Sequence, residues 1–102
     1  MRRGGALGRS APGPLRGHVE RVSGGMIEGW VLDAANPAAP VELELIAGAR
    51  PPTRILANRY RGDLERAGLA GGRCAFRLRF PGTIDRVEIR RVTDRAVLPQ
   101  AV

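Results

Sequence analysis

The amino-acid sequence predicts an all-β fold, a small antiparallel β-sandwich of about seven strands with one short helical turn. Short apolar runs recur at spacings of roughly ten residues with Gly, Pro and Asn between them, as in a sandwich or barrel. In "VELELI" Val41, Leu43 and Leu45 alternate with Glu42, Glu44 and Ile46, the period of a strand with one dry and one mostly wet face. No run is long enough, at helical period, for a helix bundle.

Residues 1–14 combine Gly4, Gly5, Gly8, Pro12, Gly13 and Pro14 with three arginines, a mixture that buries no apolar area and reads as a flexible basic leader. Residues 15–102 form the single domain that a chain of 102 residues allows, burying ~60–65% of the surface its unfolded chain exposes. "LRGHVERV" (15–22) is the first strand, and "SGG" after it is a tight reversal because adjacent glycines take positive φ freely. In "MIEGWVLD" (26–33) both faces carry apolar residues, which marks a central strand, and Gly29 inside it signals a bulge or a close approach by a neighbour. "DAANPAAP" is a loop, "VELELIAG" the third strand, "AGARPP" a turn and "TRILANRY" (53–60) a fourth strand of mixed pattern.

"DLERAG" (63–68) is one helical turn with both ends marked. Asp63 has the oxygen of an N-cap, Glu65 suits the positive end of the helix dipole, Leu64 points to the core and Gly68 is the αL stop. "RCAFRLRF" (73–80) places Cys74, Phe76, Leu78 and Phe80 on one face and Arg73, Ala75, Arg77 and Arg79 on the other. "IDRVEIRRV" (84–92) and "RAVLP" (95–99) complete the strands.

The net charge of +7 comes from 17 arginines and no lysine. Five of them, Arg2, Arg3, Arg9, Arg16 and Arg21, lie in the first 21 residues against Glu20, so the rest of the chain is only mildly basic. Cys74 and His18 are the only residues of their types, which excludes an intrachain disulfide, a multi-cysteine or two-histidine metal site, and any catalytic triad not built on that histidine. No metal site and no cofactor is expected, because phosphate-loop glycine motifs and calcium spacing among Asp33, Asp63, Asp85 and Asp94 are lacking too. Neither a secretory signal nor a membrane span is recognisable, so the expected location is the cytoplasm.

The chemistry-bearing candidates are few. Arg61-Gly62-Asp63 reads as a turn entering a capped helix, not as an adhesion signal. Trp30, mid-strand among apolar neighbours, reads as a core anchor instead of a sugar platform, and Tyr60, at a strand end between Arg59 and Arg61, is the candidate exposed aromatic. If the strands bearing Arg73, Arg77 and Arg79 and Arg86, Arg90 and Arg91 pair, a basic stripe results; the alternative is a solvated face paired with Glu42, Glu44 and Glu88. A hydrolytic carboxylate pair from Glu28, Asp33 or Glu42 has no support in spacing.

The order "GHVERVSGGMIEGWVLD", "PVELELIAG", "ANRYRGDLERAG", "GGRCAFRLRFPG" and "VEIRRV…AVLPQ" resembles a small β-rich module of alphaproteobacterial proteins, over about residues 15–102. The specific matches are Gly29-Trp30 with Asp33, Arg61-x-Asp63-Leu64 with Ala67-Gly68, and Phe76; Ala75 stands where the module more often has glycine. That module is often appended to glycosyltransferases, sulfotransferases and other enzymes of surface polysaccharides. The resemblance implies a β-sandwich in a glycan or cell-envelope context, with Trp30, Asp33, Asp63, Leu64, Gly68 and Phe76 in structural roles. The expected function is a non-catalytic accessory or interaction module, with Tyr60, Arg61, Arg77, Arg79 and Arg90 as candidate binding residues. The alternative is arginine-mediated nucleic-acid or polyanion binding, and an exposed edge strand leaves self-association open.

Overall fold

The computed structural model describes residues 12–80 and 86–100. It contains strands β1 (Leu15–Ser23), β2 (Met26–Asp33), β3 (Val41–Ile46), β4 (Thr53–Ala57), β5 (Arg59–Tyr60), β6 (Arg73–Arg79) and β7 (Glu88–Arg91), with one α-helical turn, α1 (Gly62–Arg66), and a short 3-10 turn at Ala70–Gly72. The strands form two antiparallel sheets, a four-stranded one in the order β1-β2-β6-β5 and a three-stranded one in the order β4-β3-β7.

Alternation decides what lies between the sheets. Val19, Ile27, Val31 and Phe76 from the first meet Val41, Leu43, Leu45, Ala57 and Ile89 from the second, and Leu98 joins them. Gly29 is required in this layer: a Cβ there would stand 2.4 Å from the His18 carbonyl oxygen and 2.7 Å from the Phe76 ring. It faces a bulge in β1, where Val19 pairs with Gly29 and Arg21 with Glu28, leaving Glu20 as the extra residue. The β1–β2 reversal uses Gly24 and Gly25 at φ 58° and 75°, as the sequence predicts.

The other phase of β2 and β6 faces away from the second sheet. There Leu32 and Ala75 form a second buried cluster with Leu64 and Leu69, joined by Cys74 where the β5–β6 register shifts and flanked by Trp30. Trp30 is half-buried on this outer face with its ring edge-on to His18 at 5.9 Å, so the sequence reading of it as the anchor of the main core is corrected. Gly29, not Trp30, occupies the inward phase. Cys74 is buried as expected, but beneath α1 instead of beside Phe76.

The helical turn ends as expected and begins differently. Gly68 has φ 76°, its amide donates to the Glu65 carbonyl and the Leu69 amide donates to the Leu64 carbonyl, while Leu64 and Leu69 pack together. Burying these two leucines contributes about 1.5–3 kcal/mol each. At the start the capping position belongs to Arg61, in extended geometry and without a side-chain cap. The expectation of Asp63 as N-cap is therefore corrected: it sits inside the helix, and its carboxylate turns back to Arg61.

Two further expectations change. The segment 53–60 is not one strand, because it leaves the three-stranded sheet after Ala57 and enters the four-stranded sheet at Arg59. Its mixed pattern reflects service to two sheets. The segment 95–99 is not a regular strand. Arg95 turns at φ 61°, and only Val97 and Gln100 make isolated bridges, to Arg90 and Val19, around a proline that has no N–H to give. Leu98 is nonetheless fully buried, and the Val19 amide donates to the Pro99 carbonyl at 2.8 Å, so this segment closes the seam between the sheets. At the other end Gly13 and Pro14, read as leader, hydrogen-bond to Asp33 and Ala34; residues 1–11 lie outside the described residues, as do 84 and 85 of the run 84–92.

Candidate functional site

The outer face of the four-stranded sheet is divided. Its end at Leu32 and Ala75 is covered by α1, and beyond lies a row of side chains in register, Arg21, Glu28 and Arg77. Glu28 sits between the two guanidinium groups, 3.4 Å from Arg21 Nη1 and 3.3 Å from Arg77 Nε. Between the covered end and this row opens a cleft of about 400 Å³ lined by Glu20, Glu28, Arg59, Tyr60, Arg61, Ala75, Phe76 and Arg77.

The bulge in β1 supplies one wall. Glu20, released from the ladder, accepts from Arg61 Nη1 at 2.6 Å and Nη2 at 3.4 Å, although Arg61 follows the strand at the opposite edge of the sheet. The same guanidinium grips Asp63 through Nε at 3.1 Å and Nη2 at 2.8 Å. Hydrogen bonds donated to Asp63 and Glu20 raise the Arg61 pKa, and Arg61 lowers that of Asp63. An arginine bonded on both edges is committed to structure, so Arg61 lines the cleft as a strut.

Tyr60 forms the rim. It is 47% exposed, its hydroxyl donates to Glu65 of α1, and the Arg73 guanidinium stands 5.5 Å from its ring centroid. The hydrogen bond to Glu65 is the main cause of its raised pKa. The ring is thus held in place by its neighbours.

Of the binding candidates, Tyr60, Arg61 and Arg77 come together here. Arg79 lies on the same face as Arg77 but farther along β6, opposite Met26, and does not line the cleft. Arg90 belongs to the other sheet, opposite Glu44, where its Nε is 3.5 Å from Glu88 without a hydrogen bond. β6 and β7 never pair, so the continuous basic stripe does not form. Arg91, counted in that stripe, is buried and bound to Asp33 and Asp94. Glu28, Asp33 and Glu42 form no carboxylate pair either: Glu28 is shared by arginines, Asp33 is tied to Arg91, and Glu42 is on the second sheet.

Sequence reasoning missed Glu20, Arg59 and Ala75 as lining residues, and it treated Glu28 only as a candidate acid. Glu20 enters through a bulge whose only local signal was Gly29 on the partner strand. Among the described residues no three His, Cys, Asp or Glu side chains gather as a metal site, and no helix is long and apolar enough to cross a membrane. No protein-family model, curated protein or solved structure matches this chain.

Proposed function

We propose that this chain is a non-catalytic accessory module that binds a glycan in the cleft on its four-stranded sheet. The supporting observation is the mixture in the lining: carboxylates, guanidinium groups and an exposed tyrosine ring surround one open cleft of about 400 Å³. Sugar hydroxyls both donate and accept, so they need both kinds of partner, whereas a polyanion is served by positive charge alone. Both carboxylates are already held by arginines, and among the described residues no Ser, Thr, Cys or His lines the cleft, an inventory suited to holding a molecule and not to breaking it. The resemblance to modules appended to polysaccharide enzymes points to the same context.

The alternative, arginine-mediated nucleic-acid binding, relied on a stripe whose two strands lie in different sheets. The test is a glycan array probed with the whole chain at low and at physiological salt, with a short DNA alongside. Binding to defined glycans should persist at physiological salt and drop in a folded Tyr60→Ala variant. Binding to DNA and sulfated polymers alone, and only at low salt, would overturn the proposal.

A further inference from the structure

Within the cleft the charges are unevenly matched. Glu20 serves Arg61, which also holds Asp63. Glu28 is divided between Arg21 and Arg77. Arg59 makes no ion pair among the described residues, although it lines the cleft beside these groups. Arg77 uses only Nε toward Glu28, and its two terminal nitrogens make no hydrogen bond among the described residues.

Register brings the two under-used arginines together. Arg59 is opposite Ala75 on β6, and Arg77 is two positions farther on the same strand, a diagonal relation that separates Cα atoms by roughly 7–8 Å. The residue between them on this face is Ala75, which is too short to screen one guanidinium from the other. Two neighbouring positive groups, of which only Arg77 has a carboxylate partner, repel each other, and an anion placed between them relieves that repulsion while accepting N–H hydrogen bonds from both. Tyr60, held by Glu65 and Arg73, borders this corner.

We infer that the ligand is an acidic glycan, and that the carboxylate of a uronate residue lies between Arg59 and Arg77 with its ring beside Tyr60. This inference rests on the glycan reading above and adds its charge. A carboxylate fits a corner of two guanidinium edges in a cleft that also presents Glu20 and Glu28. Those acids repel a densely charged polyanion but accept hydrogen bonds from the hydroxyls of a sugar carrying one charge per residue.

The test uses the whole chain and a panel of uronate oligomers (galacturonate, glucuronate and mannuronate), each paired with its own methyl ester, measured by calorimetry at physiological salt. At least one acid is expected to bind about tenfold more tightly than its ester, the loss of one charge-assisted pair. In the Arg59→Ala/Arg77→Ala variant, confirmed as folded by its melting curve, the ratio of acid to ester affinity should fall to about one, whatever ester binding remains. Acid and ester bound equally would overturn the uronate inference and leave the glycan reading standing. Silence across the whole panel, acids and esters alike, would overturn the uronate inference, and silence on the glycan array as well would overturn both. Equal binding of inorganic sulfate and short DNA would reassign the corner to nonspecific anion attraction and overturn the inference. An Arg59→Lys/Arg77→Lys variant, which keeps charge but loses the planar fork, should keep only part of the preference.

Discussion

Arg61 and Arg91 are built alike and placed differently. Each guanidinium stands between two carboxylates, one close in sequence and one distant: Asp63 and Glu20 for Arg61, Asp94 and Asp33 for Arg91. The Arg61 side chain is 31% exposed on the outer face of the four-stranded sheet, whereas that of Arg91 is 6% exposed and joins the end of β2 to the turn after β7. Asp33 extends the second network further, because it also accepts from the amides of Gly13 at 3.1 Å and Ala35 at 2.8 Å. The same chemistry thus serves two ends. Water competes throughout the first cluster, which shapes a cleft, and reaches the second mainly at Asp94, leaving the buried Arg91–Asp33 pair to fasten the two sheets together.

The largest consequence should follow from breaking the buried member. Arg91→Ala strands Asp33 without its cation and is expected to lower unfolding free energy in urea by about 3 kcal/mol; a loss no greater than that of Arg61→Ala would show that the two clusters contribute alike. Arg61→Ala should cost only about 1 kcal/mol, because its partners regain water. It should also free Glu20 and loosen the cleft wall, visible as faster amide exchange around Tyr60 and the 62–66 turn.

Acid titration sharpens the comparison. Hydrogen bonds from Arg91 hold the Asp94 carboxyl at about 2, below the ordinary 3.8, and Arg61 lowers Asp63 in the same direction. Folded values below unfolded ones mean that this stabilisation is complete above 3.8 and is lost as the pH falls from there toward about 2. The melting temperature should therefore decline through that window, and less steeply in Asp94→Asn; parallel curves for variant and parent would show that the Asp94 pair gives no pH-dependent stability. The smallest effect is expected for Asp63→Ala. It removes one exposed ion pair and no helix cap, so its denaturation midpoint should shift less than that of Arg61→Ala.

The local halves of these clusters were legible in the sequence, and the distant halves were not. Alternation in "VELELI" and around Phe76 revealed strands and their buried faces, and Gly68 marked a helix end, because these signals depend on neighbours a few residues apart. Capping logic gives the Asp63 oxygen to the helix amides, since sequence cannot weigh a guanidinium two residues away against a cap. The pairing of Arg61 with Glu20 depends on a bulge 41 residues earlier, and that of Arg91 with Asp33 spans 58. Trp30 failed for a related reason. With apolar residues in both phases of β2, only the presence of α1 on the far side decides which phase meets the other sheet. Of the candidate binding residues, Tyr60, Arg61 and Arg77 line one cleft and Arg90 lies on the other sheet, because which strands share a sheet is not written in their composition.

The passage of residues 53–60 from one sheet to the other works as an error check on assembly. Ile55 and Ala57 pack toward the shared core, and Arg59 and Tyr60 must then meet Ala75 and Arg73 on a different ladder. A slip of one position in the first pairing would turn Ile55 and Ala57 toward water and simultaneously misplace the rim of the cleft, with a single residue, Asn58, to absorb the mistake. Mispaired chains therefore forfeit both sheets at once, so the arrangement that completes the sandwich is also the one that presents Tyr60.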